Sequence, residues 1–422
     1  VRNALYAQAG GVTAVINASA AGVIAAARRH PDQIGRIFAA QRGIRGIWDE
    51  ALIDTSVATD DEIARLRHTP GGAFGSYRYD LRSHEEVPAV HDRIFEVLAA
   101  HDIGYLFYNG GNGSMDTAWK LHCAAIARGY PLVSIGIPKT IDNDLALTDC
   151  CPGYGSAAKY VGTAIREAGL DLEAMVQGQP KIFLMEVMGR NTGWIAAASM
   201  LASERPDDAP HLVLLPERAF EPEPFLARVK AIAERLGWCA IVVAEGLRDD
   251  EGRPLAARGN EGGYELLGGA GQVVARLIEE RLGYRYHLAL PDYLQRVARH
   301  IASKTDVEQA YAVGEAAVGL ALEGRSGVMP AIERLSDSPY RWQIGAVALR
   351  EVANLERCLP PEFIAPDGMG VTGAFRRYAE PLIEGEDAPA YRRGLPDYAR
   401  IGWRLVAQRC GPAASVLPPS RA

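Results

Sequence analysis

The 422-residue chain is longer than one hydrophobic core usually supports, since cores seldom grow past roughly 250–300 residues, so two or three domains are expected. Hydrophobic residues make up 48%, charged residues 23% and the formal net charge is −7, the balance of an ordinary globular protein. The 45 lysines and arginines are scattered, with no basic stripe interleaved with aromatics, which argues against nucleic acid as a partner.

The chain opens on VRNALYAQAGG, which lacks the basic, apolar and small-residue zones of a signal peptide. No apolar run approaches the ~20 residues that span a bilayer, so a cytoplasmic protein without membrane contact is expected. Six short apolar runs follow in order as predicted strands: 3–11, 104–111, 132–138, 181–190, 211–217 and 239–246. Alanine-rich segments of helical periodicity alternate with them at 13–29, 115–129 and 191–203. Strand followed by helix, repeated, predicts an α/β fold of two doubly wound layers with parallel sheets, and a domain change near residue 150. EDAPAYRRGLPDY (386–398) and the tail CGPAASVLPPSRA (410–422) read as surface linker and frayed end. The six cysteines include no CxxC pair, so neither a disulfide framework nor a zinc site is indicated, and the adjacent Cys150 and Cys151 read as packed thiols near a turn.

In open α/β sheets ligands sit at the carboxyl ends of strands, and the unusual stretches of this chain lie there. QAGGVTAVINA (8–18) and GGNGSMDTA (110–118) each set paired glycines between a strand and a helix, where free amides and the helix dipole favour a phosphate. GIPKT (136–140) is no P-loop, because proline precedes the lysine, and Asp116 breaks the dinucleotide fingerprint at 111–116. In GIPKTIDNDL (136–145), Pro138 disfavours helix, so the chain is expected to stay extended over 138–144. Alternate side chains of an extended segment share a face, which groups Thr140, Asp142 and Asp144. Such a group is either a solvated turn or a reaction centre, with one carboxylate as general base and its neighbour binding metal or tuning the pair.

Taken together, QAGGVTAVINA, GGAFGSYR (71–78), GGNGS, PKTIDNDL, PGYGSAAKY (152–160), MEVMGR (185–190), VVAEG (242–246) and LPDYLQR (290–296) resemble the phosphofructokinase family, in family order. The resemblance covers roughly residues 3 to 350 and is closer to the pyrophosphate-dependent branch. It implies two Rossmann-like three-layer domains with mostly parallel sheets and the active site in the cleft between them. Residues 1–150, completed by part of 265–345, are expected to bind the phosphoryl donor, and 151–264, completed by part of 345–422, the sugar phosphate.

The resemblance also assigns roles. It makes Asp142 the base that takes the proton of the sugar 1-hydroxyl, with Thr140 and Asp144 lining the same site and Lys139 neutralising the phosphates of pyrophosphate. Gly11, Arg78, Gly111, Gly113 and Ser114 match donor-phosphate positions. Met188, Gly189 and Arg190 match a stretch that meets the sugar phosphate and stabilises the transferring charge. Glu245 matches a sugar-hydroxyl acceptor, Tyr293 and Arg296 a 6-phosphate clamp, and Lys181 a basic position contributed across a subunit interface. The implied reaction is reversible, Mg²⁺-dependent transfer from pyrophosphate to fructose 6-phosphate by a homodimer, with no nucleic acid or membrane partner.

Two departures from the family pattern stand out. Asn112 replaces an expected magnesium-binding aspartate, and an amide oxygen can ligate Mg²⁺ directly or through water, though without charge. Gly113 stands where many pyrophosphate users carry an aspartate that obstructs the α-phosphate of ATP, so ATP remains the rival donor. A lipid or NAD kinase and a catalytically silent sugar-phosphate sensor are the readings from other classes. The first lacks the PKTIDND and MGR pair, and the second is opposed by the retained Thr140, Asp142 and Asp144.

Overall fold

The computed structural model describes residues 1–261 and 264–413, and the end of the expected frayed tail, from residue 414, lies outside the described residues. The chain divides into two compact units. The first comprises Val1–Gly153, Arg299–Glu356 and the chain from Gly385 onward; the second comprises Tyr154–Ala298 and Arg357–Glu384.

The first unit is built on an eight-stranded sheet. Its first five strands are β1 (Arg2–Gln8), β2 (Ile34–Ala40), β3 (Leu52–Asp54), β4 (Ile103–Gly110) and β5 (Val133–Pro138). The order across the sheet is Tyr340–Ala348, Val328–Asp337, β5, β4, β1, β2, β3 and Arg404–Leu405. Its centre is parallel and its edges antiparallel. The last five residues of β1 are all buried, because a central parallel strand is covered on both faces; this is why it reads as a continuous apolar run rather than an alternation. Leu5 and Ala7 of β1, Leu106 and Tyr108 of β4, and Leu121 and Ile94 of flanking helices share its core. The chain passes from β1 to β2 on one side and later takes up β4 on the other, so the β1–β4 neighbourhood is a topological switch point, where such folds open a crevice.

The second unit carries a four-stranded, all-parallel sheet with β6 (Lys181–Val187), β7 (Leu212–Leu214) and β8 (Trp238–Ala244). Its fourth strand, Arg285–Ala289, pairs with β6 in parallel and completes the order Arg285–Ala289, β6, β8, β7. That pairing draws residues 265–298 into the second unit, past the boundary at 264 expected from the sequence. All seven residues of β8 are buried.

Two local expectations change. The segment expected as one helix at 191–203 is a short helix, Trp194–Ala198, followed by a 3₁₀ turn, Ser199–Ala202; the Gly193 N–H, just before it, is held by the Glu217 carboxylate at 2.8 Å. The stretch read as a surface linker is tied down: Tyr391–Arg392 pairs with Leu395–Pro396, and Asp387 accepts a 2.9 Å charged hydrogen bond from the fully buried Arg299. Cys150 and Cys151 are buried free thiols, as their setting in the sequence suggests.

Candidate active site

In the first unit three adjacent parallel strands end together. Asn109 pairs with Ile137 and Gly110 with Pro138 across β4 and β5, while Gln8 of β1 pairs with Asn109. The loops 9–13, 111–114 and 139–144 therefore emerge side by side. The helix Asn112–Arg128 opens at the end of β4 with Gly111 as its N-cap, no side-chain cap and no acidic residue in its first turn. Its first N–H groups and dipole are left to attract an anion. Ser114 is buried with its hydroxyl against Gly110, where a Cβ would fall 2.0 Å from Ser114 Oγ; glycine is required at that turn.

Lys139 is 3% exposed. Its ammonium donates to the carbonyls of Ala9 at 3.0 Å and Gly11 at 2.5 Å, so the cation is fixed inside the first glycine loop. The segment carrying Arg78 runs along the same loop: Ala9 bridges to Tyr77, and the Ser76 hydroxyl donates to Gly10 O at 2.6 Å. Arg78 itself is exposed. Gly11, Arg78, Gly111, Gly113 and Lys139 thus belong to one cluster of loops at the sheet's carboxyl edge.

The stretch after Lys139 is not extended, and the shared-face reasoning for Thr140, Asp142 and Asp144 does not hold. Asn143 has φ 55°, a left-handed conformation that asparagine tolerates, and its carboxamide oxygen accepts the Cys151 N–H at 2.9 Å. The Thr140 hydroxyl accepts the Asp142 N–H at 3.1 Å, closing a local turn. Asp142 and Asp144 are both half-buried, and Asp144 Oδ1 is shut off from solvent. Burial and the charge of Glu356 push the Asp144 carboxyl above its usual range, against hydrogen bonds from its own backbone N–H, Asn112 and Thr140. Asp144 thus sits among groups that disfavour its charge. Beyond the turn, a two-point ion pair of Asp149 with Arg334, both contacts at 3.0 Å, ties the segment to the strand Val328–Asp337.

Asn112 donates from Nδ2 to Asp144 Oδ2 at 3.1 Å. Among the described residues, Asn112 Oδ1 and Asp144 Oδ1 are buried and have no hydrogen-bond partner. Two such orphaned oxygens fit a hard cation or its water, and a Mg²⁺ ion takes few protein ligands when phosphates supply the rest. No cluster of three or more acidic, histidine or cysteine side chains is arranged to hold a metal among the described residues, so a dedicated protein cage is not present there.

In the second unit the carboxyl ends of β6, β8 and Arg285–Ala289 carry the remaining predicted residues except Lys181. Gly246 can only be glycine: a Cβ there would lie 1.8 Å from the Arg190 carbonyl. The Gly189 N–H donates to the Glu245 carboxylate at 3.3 Å, so Glu245 supports the Met188–Arg190 loop directly. Arg190 is half-buried and has no ion-pair partner among the described residues. The Arg296 guanidinium lies 4.0 Å over the Tyr293 ring, and Tyr293 is exposed. Lys181 begins β6, with its ammonium on the Met175 carbonyl at 2.5 Å. Met188 lies seven residues further along, about 23 Å at the usual rise, so Lys181 is not brought to the Met188–Arg190 group of its own chain.

Sequence reasoning missed two supporting residues. Gln295, 2% exposed, accepts the Met188 N–H at 3.1 Å and donates to Asp292 O at 2.9 Å, joining the loop to the Tyr293–Arg296 segment. Its only signal was its place between those two residues. Glu356, whose charge reaches Asp144, lies more than two hundred residues away in sequence and had none.

A family model described as Phosphofructokinase matches residues 3–321. A pyrophosphate–fructose 6-phosphate 1-phosphotransferase of Methylococcus capsulatus is 56% identical over 417 residues, covering 98% of this chain and 99% of its own length. A protein of the same name from Halomonas elongata is 52% identical, covering 96% and 98%. The crystal structure of a pyrophosphate-dependent phosphofructokinase from Marinobacter aquaeolei superposes with a TM-score of 0.90 at 49% identity, over 98% of this chain and 99% of that one.

Proposed function

The chain belongs to the phosphofructokinase family, and from that premise we propose that it transfers a phosphoryl group from pyrophosphate to the 1-hydroxyl of fructose 6-phosphate. The products are fructose 1,6-bisphosphate and phosphate, and the reaction is reversible. The observation that carries the donor assignment is Lys139: a buried ammonium fixed by two carbonyls inside a glycine loop, beside an uncapped helix N-terminus. Pyrophosphate has no nucleoside by which to be anchored, so its charge has to be met by fixed groups of this kind.

In this reading Asp142 takes the proton of the attacking hydroxyl. Thr140 fixes the turn on which Asp142 sits, and Asp144, held by Asn112, stays behind it. Lys139, the amides of Gly11, Gly111 and Gly113, the first turn at Ser114, and Arg78 hold the donor. On the second unit, Arg190 stabilises transferring charge, Met188, Gly189 and Glu245 position the sugar, and Tyr293 with Arg296 clamps its 6-phosphate. Mg²⁺ supplies neutralisation of the pyrophosphate oxygens when bound, and Asn112 and Asp144 are the residues to hold it, directly or through water.

A homodimer is part of the same proposal. It is supported by the position of Lys181, which stands at the far end of β6 from the Met188–Arg190 group of its own chain. No helix among the described residues is long and apolar enough to cross a membrane, and the cysteines are free thiols, which suits the reducing cytoplasm. Paired assays with pyrophosphate and ATP at fixed fructose 6-phosphate test the function. Turnover with pyrophosphate and little with ATP is expected; turnover with ATP alone overturns the donor assignment.

A further inference from the structure

Gly113, the second residue of the helix Asn112–Arg128, leaves a gap in the wall of the loop cluster. Beyond its chain neighbours and the backbone of its own helix, a Cβ built there meets a single atom within 4 Å, Oδ1 of Asp80, at 3.3 Å. A carboxylate from another segment thus stands where a side chain at position 113 would grow. Its placement follows from the fold: residues 76–80 run beside the first glycine loop, with Gly10 N donating to Tyr77 O at 3.4 Å and Ala9 bridging to Tyr77. Tyr108, on β4 just before the helix, registers the same charge: burial first and Asp80 second hold its hydroxyl protonated.

The consequence concerns what can occupy the helix N-terminus. Pyrophosphate ends at its second phosphorus. A nucleoside triphosphate continues through a third phosphate and a nucleoside, and these added atoms must leave past the first residues of the helix. Gly113 is the residue there that offers room. We propose that Asp80 is a donor-selectivity residue: its carboxylate fills the space Gly113 leaves open, admitting pyrophosphate and turning away donors that extend past it. Specificity then comes from a repulsive and steric element supplied by a segment other than the helix that carries Gly113. The proposal rests on the donor reading above, in which the phosphates sit at Gly111–Ser114.

The test compares kcat/KM for ATP and for pyrophosphate in the full chain and in Asp80→Asn, Asp80→Ala and Asp80→Ala combined with Gly113→Asp. The ATP-to-pyrophosphate ratio is expected to rise about tenfold or more in Asp80→Ala, and less in Asp80→Asn, which keeps the shape and loses the charge. Returning the carboxylate at position 113 in the double variant should bring the ratio back down. A ratio in Asp80→Ala within about twofold of the parent overturns the assignment. If thermal melts show that Asp80→Ala does not fold, Asp80→Asn decides: a ratio raised above the parent's supports the assignment, and an unchanged one overturns it. A parent chain inactive with pyrophosphate is a different result, since it removes the donor reading before any variant is compared.

Discussion

The two units handle anions by opposite means. In the first, the key cation is buried: Lys139 is 3% exposed and locked by carbonyls, and the other attractive groups are backbone amides at a helix start. In the second, the cations are half-exposed guanidiniums, with Arg296 lying on the exposed ring of Tyr293, and precision comes from buried acceptors that hold the backbone beneath them. Glu245 and Gln295 take the N–H groups of Gly189 and Met188. A fixed, poorly hydrated charge acts strongly on charge developing during reaction, whereas half-exposed arginines above a pinned loop suit binding of a ground-state phosphate. Arg190 aside, the first unit is therefore expected to govern kcat and the second KM.

The sharpest break in that contrast would come from Asp142→Asn. It should lower kcat by about 10² to 10⁴-fold in steady-state assays, the usual range for a general base, and an unchanged kcat removes Asp142 from that role. Next in size, Lys139→Gly should cut pyrophosphate turnover by about 10² to 10³-fold with little effect on the KM for fructose 6-phosphate. Lost sugar affinity with kcat intact would reverse the division between the units. On the other side, Gln295→Leu leaves the Met188 N–H buried without an acceptor, a cost of about 1–3 kcal/mol. It should raise the KM for fructose 6-phosphate by about tenfold while sparing kcat, and Gln295→Glu, which keeps an acceptor, should recover most of the loss. An equal fall in kcat would show that the loop serves chemistry rather than binding.

The smallest effect is expected on stability, and acid should strike the units unequally. Burial tends to raise the Glu50 carboxyl, but the Arg409 N–H, the His101 ring at 2.6 Å and the Cys410 N–H together hold it below its usual range. A carboxyl depressed in the folded state adds stability that is present above about pH 4.3, its unfolded value, and lost as pH falls through the folded value. In the second unit the depressed carboxyls, Asp208 and Asp249, sit in pairs with exposed arginines, which contribute little. Below about pH 4, amides of residues 404–410 should lose hydrogen-exchange protection before those of β6 and β8, and Glu50→Gln should remove that difference. Simultaneous loss in both units would refute the assignment.

Much was legible without coordinates because it is written in short-range pattern. The apolar runs at 104–111 and 239–246 could only be central strands, and the glycine pairs after β1 and β4 marked strand-to-helix turns at the sheet's carboxyl edge. Residues 3–321 match the family on such stretches. The sequence by itself determined the alternation of strand and helix, the place of the loops that carry Lys139 and Asp142, and the chemistry of those side chains. What escaped it depends on backbone reversal and on contacts between distant segments. The left-handed Asn143 breaks the period-two reasoning, so Asp142 and Asp144 lie on a turn rather than along one face of an extended strand. Asp80 beside Gly113, Glu356 near Asp144 and Gln295 under Met188 were decided only by tertiary structure. Local periodicity reports which face a side chain takes, but a neighbour supplied by another segment is set by how the strands are ordered in the sheet, and that order has no local signature.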